Sequence, residues 1–151
     1  MRWLSFYRSA PDRGLGSSYN QATFGYVVSA EQSDDGQEGV VDVGARSDFT
    51  TLREAIAANA LESLVDQCGD QPDLPLDGLH FAPTITDPKK ILCVGLNYKA
   101  HQEETGRGGE GVPTVFVRFA AAQMGHGEPM VRPRESASLD FEGEIAMIIG
   151  R

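Results

Sequence analysis

The sequence has few cysteines and an excess of acidic over basic residues. Two cysteines, Cys68 and Cys93, stand in 151 residues, and they form neither a disulfide framework nor a zinc-binding spacing. Cys93 lies within the apolar run 91–94, where a buried, reduced thiol is expected. The chain has 13 Lys and Arg against 22 Asp and Glu, a net charge of −9. This balance argues against nucleic acid as a partner and against adhesion to anionic membrane surfaces.

Long hydrophobic segments are also missing. No apolar run approaches the roughly 20 residues that a membrane span requires. The first eight residues, MRWLSFYR, become polar too soon for the hydrophobic region of a secretory signal. The hydrophobic fraction of 40% and the charged fraction of 23% are typical of a globular protein. We therefore expect a cytoplasmic protein with no membrane and no nucleic-acid partner.

The first half has the pattern of a small β-rich module. Runs of β-branched and aromatic residues predict strands at 3–7, 23–28 and 39–43. Apolar residues recur every fourth position over 52–64, which predicts one amphipathic helix preceded by Asp48 or Thr50 as its N-cap. The Pro-, Asp- and Gly-rich stretch 69–78 has the composition of a linker. We place a domain boundary near Pro88, which gives an N-terminal module at 1–88 and a second domain at 89–151.

The second half alternates predicted strands with loops. Strands are expected at 90–95 and 114–119, a short helical turn at 100–104 and a glycine-rich loop at 106–111. His126 stands between two glycines, where it is a turn residue or borders a pocket. Arg118 ends an apolar strand, from which it contacts either an anionic substrate or a neighbouring acid.

A ladder of carboxylates precedes the last apolar stretch. In a strand, Asp140, Glu142 and Glu144 project to the same face. Such close like charges repel unless a cation lies between them, and a hard divalent ion takes several carboxylate oxygens. The alternative is a charged solvent face, which edge strands use against aggregation. Because both faces of 145–149 are apolar, a buried strand with a metal site competes closely with that alternative.

His101 and Glu104 are spaced to meet on one helical turn. A carboxylate beside an imidazole fixes its tautomer and raises its basicity, as activation of a water molecule requires. A solvated ion pair is the simpler interpretation of the same spacing. The spacing alone leaves both interpretations open.

Three segments together resemble the fumarylacetoacetate hydrolase family. They read KILCVGLNYKAHQEE at 90–104, PTVFVRF at 113–119 and LDFEGEIAMIIGR at 139–151. The resemblance implies a β-rich α+β fold, in which a small N-terminal module precedes the start of the family's mixed β-roll. It also implies that Glu142 and Glu144 bind Mg²⁺ or Mn²⁺, that His101 is the base and Glu104 orients it, and that Tyr98 and Arg118 bind substrate.

The activity implied by the resemblance is metal-dependent hydrolysis of C–C bonds in small dicarbonyl or acylpyruvate-type oxo-acids, in aromatic or organic-acid catabolism. Isomerase, hydratase and decarboxylase reactions of the same family are alternatives, as is a non-catalytic module that pairs with relatives. In the family's pattern a further Asp ligand and a Lys follow beyond Arg151, so we expect the N-terminal part of a longer enzyme or a truncated member. A homodimer, or association with a complementary chain, is expected, because residues 145–149 would otherwise expose a strand edge.

Overall fold

The computed structural model describes residues 1–9, 22–33, 36–106, 112–141 and 143–150. The chain divides into two compact units, one formed by Met1–Thr86 with Met124–Arg151 and the other by Asp87–Gln123. The sequence-based boundary between residues 88 and 89 stays a prediction. No helix within the described ranges combines the length and the apolarity needed to cross a membrane.

An antiparallel sheet of five strands forms the centre of the first unit. Its spatial order is β4-β3-β2-β1-β5, with β1 at Arg2–Tyr7, β2 at Ala22–Val28, β3 at Gly39–Asp42, β4 at Leu74–Pro75 and β5 at His80–Phe81. The predicted strands at 3–7, 23–28 and 39–43 are thereby confirmed to within one residue at each end. Together with the helices described below, the sheet makes an α+β fold, as predicted.

The core lies on the sheet, where aromatic and β-branched side chains are removed from solvent. The largest fully buried side chains are Phe6, Phe24, Tyr26, Val40, Val41 and Val43. Gly25 of the central strand β2 allows β3 to approach, because a Cβ atom there would lie 1.9 Å from the carbonyl oxygen of Val41. Any larger residue at position 25 would therefore push the two strands apart.

Two short helices replace the single helix predicted at 52–64. A first short helix, α1, spans Val43–Arg46; α2 then spans Leu52–Ala57 and α3 spans Leu61–Cys68. The break lies at Asn59, whose φ of 55° is left-handed, a conformation that asparagine tolerates better than most residues. The N-cap of α2 is Thr51, whose hydroxyl accepts from the backbone N–H of Glu54 at 3.2 Å, rather than Asp48 or Thr50.

The stretch 69–78, predicted as a linker, contributes to the sheet. Within it β4 pairs with β3, with Leu74 opposite Val40 and Pro75 opposite Gly39. A proline cannot donate a ladder hydrogen bond, which restricts it to edge strands, and β4 lies at an edge. The composition of 69–78, which predicted a linker, is therefore also that of a short edge strand.

The described residues of the second unit form one strand pair, one α-helix and one 3₁₀ helix. Strand β6 (Ile91–Gly95) runs antiparallel to β7 (Thr114–Arg118), and α4 (Lys99–Thr105) lies between them in sequence. A 3₁₀ helix follows at Ala120–Ala122. Both predicted strands and the helical turn are confirmed. Every residue of β7 is exposed, and Cys93 is half-buried rather than buried.

The predicted strand at 140–149 is not formed in the described residues. Residues 143–150 have neither helical nor strand structure, and Ile145, Met147 and Ile149 are each more than four-fifths exposed. A strand requires a neighbour that pairs with its backbone groups, and none of the described sheets includes this segment. Because a strand was the basis for placing the three carboxylates on one face, that arrangement stays a prediction.

Candidate functional site

The turn from β6 and the helix α4 that follows it carry three of the six predicted site residues, Tyr98, His101 and Glu104. Strand β6 ends at Gly95, and Leu96 then adopts a left-handed φ of 55°. Tyr98 is the N-cap of α4 with an extended backbone and makes no side-chain capping hydrogen bond. Instead, the side-chain amide of Gln102 donates from Nε2 to the carbonyl oxygen of Leu96 at 2.6 Å. Neither Leu96 nor Gln102 stood out in the sequence, because no residue-type pattern signals a left-handed leucine.

His101 and Glu104 meet on the surface of α4. The imidazole Nδ1 lies 3.9 Å from Oε2 of Glu104, and the two side chains are 40% and 81% exposed. This separation exceeds the usual hydrogen-bond range of about 2.7–3.2 Å, so the contact is a loose ion pair when the imidazole is protonated. The hydroxyl of Thr105 donates to the carbonyl oxygen of His101 at 2.8 Å. The helix ends at Gly106, whose φ is 63°.

The two predicted substrate-binding residues, Tyr98 and Arg118, lie in different parts of the second unit. Tyr98 is about half exposed at the start of the same helix. Arg118 ends β7 opposite Ile91, whereas Gly95, which leads into α4, pairs with Thr114. Arg118 therefore lies at the far end of the strand pair from Gly95, about 13 Å along the strand at about 3.3 Å per residue.

The predicted metal ligands are placed less completely. Glu142 lies outside the described residues, and Glu144 is an exposed side chain of the first unit, in the segment without regular structure. Within the described ranges, no three His, Cys, Asp or Glu side chains come together as a metal site. Mg²⁺ prefers octahedral oxygen coordination, and the described residues do not assemble such a set.

A buried carboxylate in the first unit, which the sequence did not single out, has a structural role. Asp42 is 3% exposed, and both its oxygens accept from Arg8, at 2.5 and 3.0 Å. Its Oδ1 also accepts from the hydroxyl of Thr23 at 2.7 Å and from the backbone N–H of Ala45 at 3.1 Å. The hydrogen bond to Asp42 raises the pKa of Arg8. With four donors arranged around it, this carboxylate joins β2, β3 and α1 rather than serving chemistry.

A second acidic residue extends this network. Asp73 accepts from the backbone N–H of Asp42 at 2.7 Å and forms an ion pair with Arg46 at 2.5 Å. Arg46 also donates to the carbonyl oxygens of Cys68 and Gln71, at 2.7 and 3.0 Å. These contacts tie the end of α3 and the approach to β4 onto the sheet.

Two open cavities of about 350 and 440 Å³ lie beside Met1, Val65 and Asp66 in the first unit. Neither is lined by a predicted site residue.

Comparison with known proteins finds a family model and several relatives that match this sequence. The family model described as "Fumarylacetoacetate (FAA) hydrolase C-terminal" matches residues 90–151. The chain is 31% identical over 121 residues to "Oxaloacetate tautomerase FAHD2A, mitochondrial" of Bos taurus, covering 75% of this chain and 38% of that protein. The Homo sapiens protein of the same name is 33% identical over 103 residues, covering 68% of this chain and 32% of the relative.

Similarity extends to an archaeal protein. An uncharacterized protein of Archaeoglobus fulgidus is 36% identical over 80 residues, which cover 53% of this chain and 32% of that protein. The chain thus spans about a third of the length of these curated relatives. No solved structure matches it significantly.

Proposed function

Because the chain belongs to the fumarylacetoacetate hydrolase family, we propose that it contributes a proton-transfer dyad to an enzyme acting on small oxo-acids. Relatives from cattle and humans are named oxaloacetate tautomerases, so keto–enol interconversion of a small oxo-acid is the reaction we favour. The single observation that carries the proposal is the exposed His101–Glu104 pair on α4, with Nδ1 and Oε2 3.9 Å apart.

The chemistry follows from which nitrogen faces the carboxylate. Nδ1 of His101 lies towards Glu104, so Nε2 on the other side of the ring is the nitrogen that would meet a substrate. In the ketone form, Nε2 takes a proton from the methylene carbon between the two carbonyl carbons. The electron pair of that C–H bond forms a C=C bond, and the ketone oxygen takes up the proton that Nε2 releases, directly or through water, to give the enol and the neutral imidazole. Glu104 stabilises the imidazolium that forms.

Hydrolysis of a C–C bond in a dicarbonyl substrate, the activity implied at first by the family resemblance, is the second candidate. The name of the matching family model favours it. In that reaction His101 takes a proton from water, the hydroxide attacks the distal carbonyl carbon, and the C–C bond breaks to leave an enolate. Both reactions place the same demand on His101. With this hydrolysis we also propose a role in aromatic or organic-acid catabolism, which the family resemblance implies.

The remaining site assignments are proposals of unequal support. Tyr98, exposed on the same helix as the dyad, is the better-placed substrate contact. Arg118 lies at the other end of the strand pair from Gly95. Glu142 and Glu144 stay the proposed ligands of Mg²⁺ or Mn²⁺, in a family whose members commonly use divalent metals. Since the described residues do not assemble a metal site, no step above depends on the ion.

Association with another protein surface is the main alternative to catalysis. Leu92 and Val117 of the strand pair and Phe119, which follows β7, are each more than three-fifths exposed. Exposed apolar side chains on and beside a strand pair are typical of interaction sites. We propose a homodimer or a complex with a complementary chain, which sedimentation analysis of the 151-residue protein would test. For the location of the protein we propose the cytoplasm, although the relatives from cattle and humans have names that include the word mitochondrial.

The test is an assay of enol-to-keto conversion of oxaloacetate, followed by the loss of the ultraviolet absorbance of the enol. We expect His101→Ala to lower the enzymatic rate about a hundredfold or more, because general acid–base groups contribute about 10²–10⁴-fold. His80→Gln, which changes another exposed histidine, is the matched control. Tautomerase activity that is equal in wild type and His101→Ala would overturn the assignment; hydrolysis of acylpyruvate alone would favour the second candidate.

A calorimetric titration with Mn²⁺ tests the metal assignment separately. Saturable binding by the wild type should disappear in Glu144→Gln and persist in Glu135→Gln, which alters another exposed glutamate. Equal binding by both variants would sink the assignment of Glu144 as a ligand.

A further inference from the structure

We propose that Gln102 is a positioning residue, which holds the turn before α4 in its left-handed form and thereby sets the direction of His101. The proposal rests on the proposed function of the dyad. Its starting point is Leu96, a residue with a Cβ atom at a φ of 55°. That conformation is unfavourable for L-residues other than glycine and, to a lesser degree, Asn and Asp. Such strain persists only where the surrounding structure holds it in place.

The described contact that opposes this strain comes from Gln102. Its Nε2 donates to the carbonyl oxygen of Leu96 at 2.6 Å, while its backbone N–H donates to the carbonyl oxygen of Tyr98 at 3.0 Å. One residue thus binds the strained turn through its side chain and the N-cap through its backbone. The next residue towards the N-terminus is His101. A change in the turn is therefore transmitted to the imidazole through a single peptide unit.

Burial contributes little to holding α4 among the described residues. None of the seven described residues of the helix is buried, and the N-cap Tyr98 makes no side-chain capping hydrogen bond. In most helices an amphipathic face packed on a core fixes the orientation of the axis. Here the hydrogen bond from Gln102 supplies an orientation that packing does not.

The experiment reads the imidazole directly. The protein has three histidines, so a sample labelled with ¹³C only at the ring Cε1 of histidine gives three C–H cross-peaks, assigned with His80→Gln and His126→Gln. In Gln102→Met, which keeps the length of the side chain and removes the donor, we expect the His101 cross-peak to shift while those of His80 and His126 stay. Glu103→Gln, a neighbouring exposed position, should leave all three unchanged.

A second substitution separates positioning from general loss of structure. Asparagine adopts the left-handed conformation more readily than leucine. In a Leu96→Asn background, Gln102→Met should therefore move the His101 cross-peak less than half as far as it does in the wild-type background. In turnover, Gln102→Met should lower kcat at least fivefold with KM within twofold. If Gln102→Met also moves the signals of His80 and His126, the isosteric variant Gln102→Glu is used in its place, since a charged glutamate cannot donate to the carbonyl oxygen of Leu96.

An unmoved His101 signal in either variant, or an equal shift with and without Leu96→Asn, would overturn the proposal. The spectroscopic measurement requires no turnover. If His101→Ala showed that the dyad has no catalytic part, the proposed function would fail while the coupling between Gln102 and His101 remained measurable.

Discussion

Replacing Asp42 with asparagine should destabilise the first unit by about 2–3 kcal/mol. The side chain is 5% exposed, and its Arg8 partner is 51% exposed. Breaking a buried ion pair costs about 3–5 kcal/mol, and the solvent-accessible guanidinium reduces that figure because water screens it. Asparagine has the same shape, but its NH₂ group would face Nε of Arg8, which now donates to Oδ2 at 2.5 Å. Two donors would then point at each other.

The single tryptophan provides the assay. The ring of Trp3 packs edge-on against Tyr26 at 5.1 Å between centroids and stacks on Phe24 at 6.3 Å, so its fluorescence reports on unfolding of this unit. In urea denaturation, Asp42→Asn should lower the midpoint with an unchanged slope. Asp77→Asn, an exposed control, should stay within about 0.5 kcal/mol of wild type. A difference below that limit for Asp42→Asn would refute the role of the carboxylate network.

Two further predictions concern the first unit. Gly125→Ala should lower the free energy of unfolding by about 1–3 kcal/mol, because the added Cβ would lie 1.9 Å from the carbonyl oxygen of Phe81. Urea denaturation measures this loss, with Gly143→Ala as a control in which the added Cβ meets no neighbour. Equal stability of the two variants would contradict the prediction. Burial raises the pKa of the Cys68 thiol and of the Tyr26 phenol. The folded state then keeps protons that the unfolded state releases, so stability should fall as pH rises above about 9, the ordinary value for Cys, and further above about 10, that for Tyr. In a series of urea midpoints measured against pH, Cys68→Ala should make the decline between about pH 9 and 10 less steep. A steeper decline in this variant would show that folding lowers the pKa of the Cys68 thiol instead of raising it.

Strand positions were predictable where the sequence pattern and the available partners agree. The run of β-branched and aromatic residues at 23–28 predicts a strand, and β2 is the central strand of the sheet, buried along most of its length. The helix predicted at 52–64 is two helices in the structure. The sequence did not predict the break, because a spacing of four residues records only which side chains face the core. The left-handed backbone of Asn59 does not change that spacing, so the pattern continues across the break.

The candidate site was predictable for a different reason and to a lesser extent. The spacing of His101 and Glu104 is a local property, since two side chains three positions apart on a helix lie on the same face. In the structure Nδ1 of His101 lies 3.9 Å from Oε2 of Glu104. The hydrogen bond from Gln102 to Leu96 depends on the turn between two elements. Nothing in the residue types from 96 to 102 records that the backbone of Leu96 is left-handed, so this contact required coordinates.

The carboxylate ladder shows the limit of periodicity most clearly. The pattern from 140 to 149 describes which side chains would share a face if the backbone were extended and paired. It does not specify the strand with which the segment pairs, and a strand exists only where a neighbour takes up its hydrogen bonds. Ile145, Met147 and Ile149 are exposed for this reason, whereas β7 pairs with β6 and still leaves its residues exposed. Each segment has the apolar composition of a buried strand, and in the described residues neither has the packing partner on which burial depends.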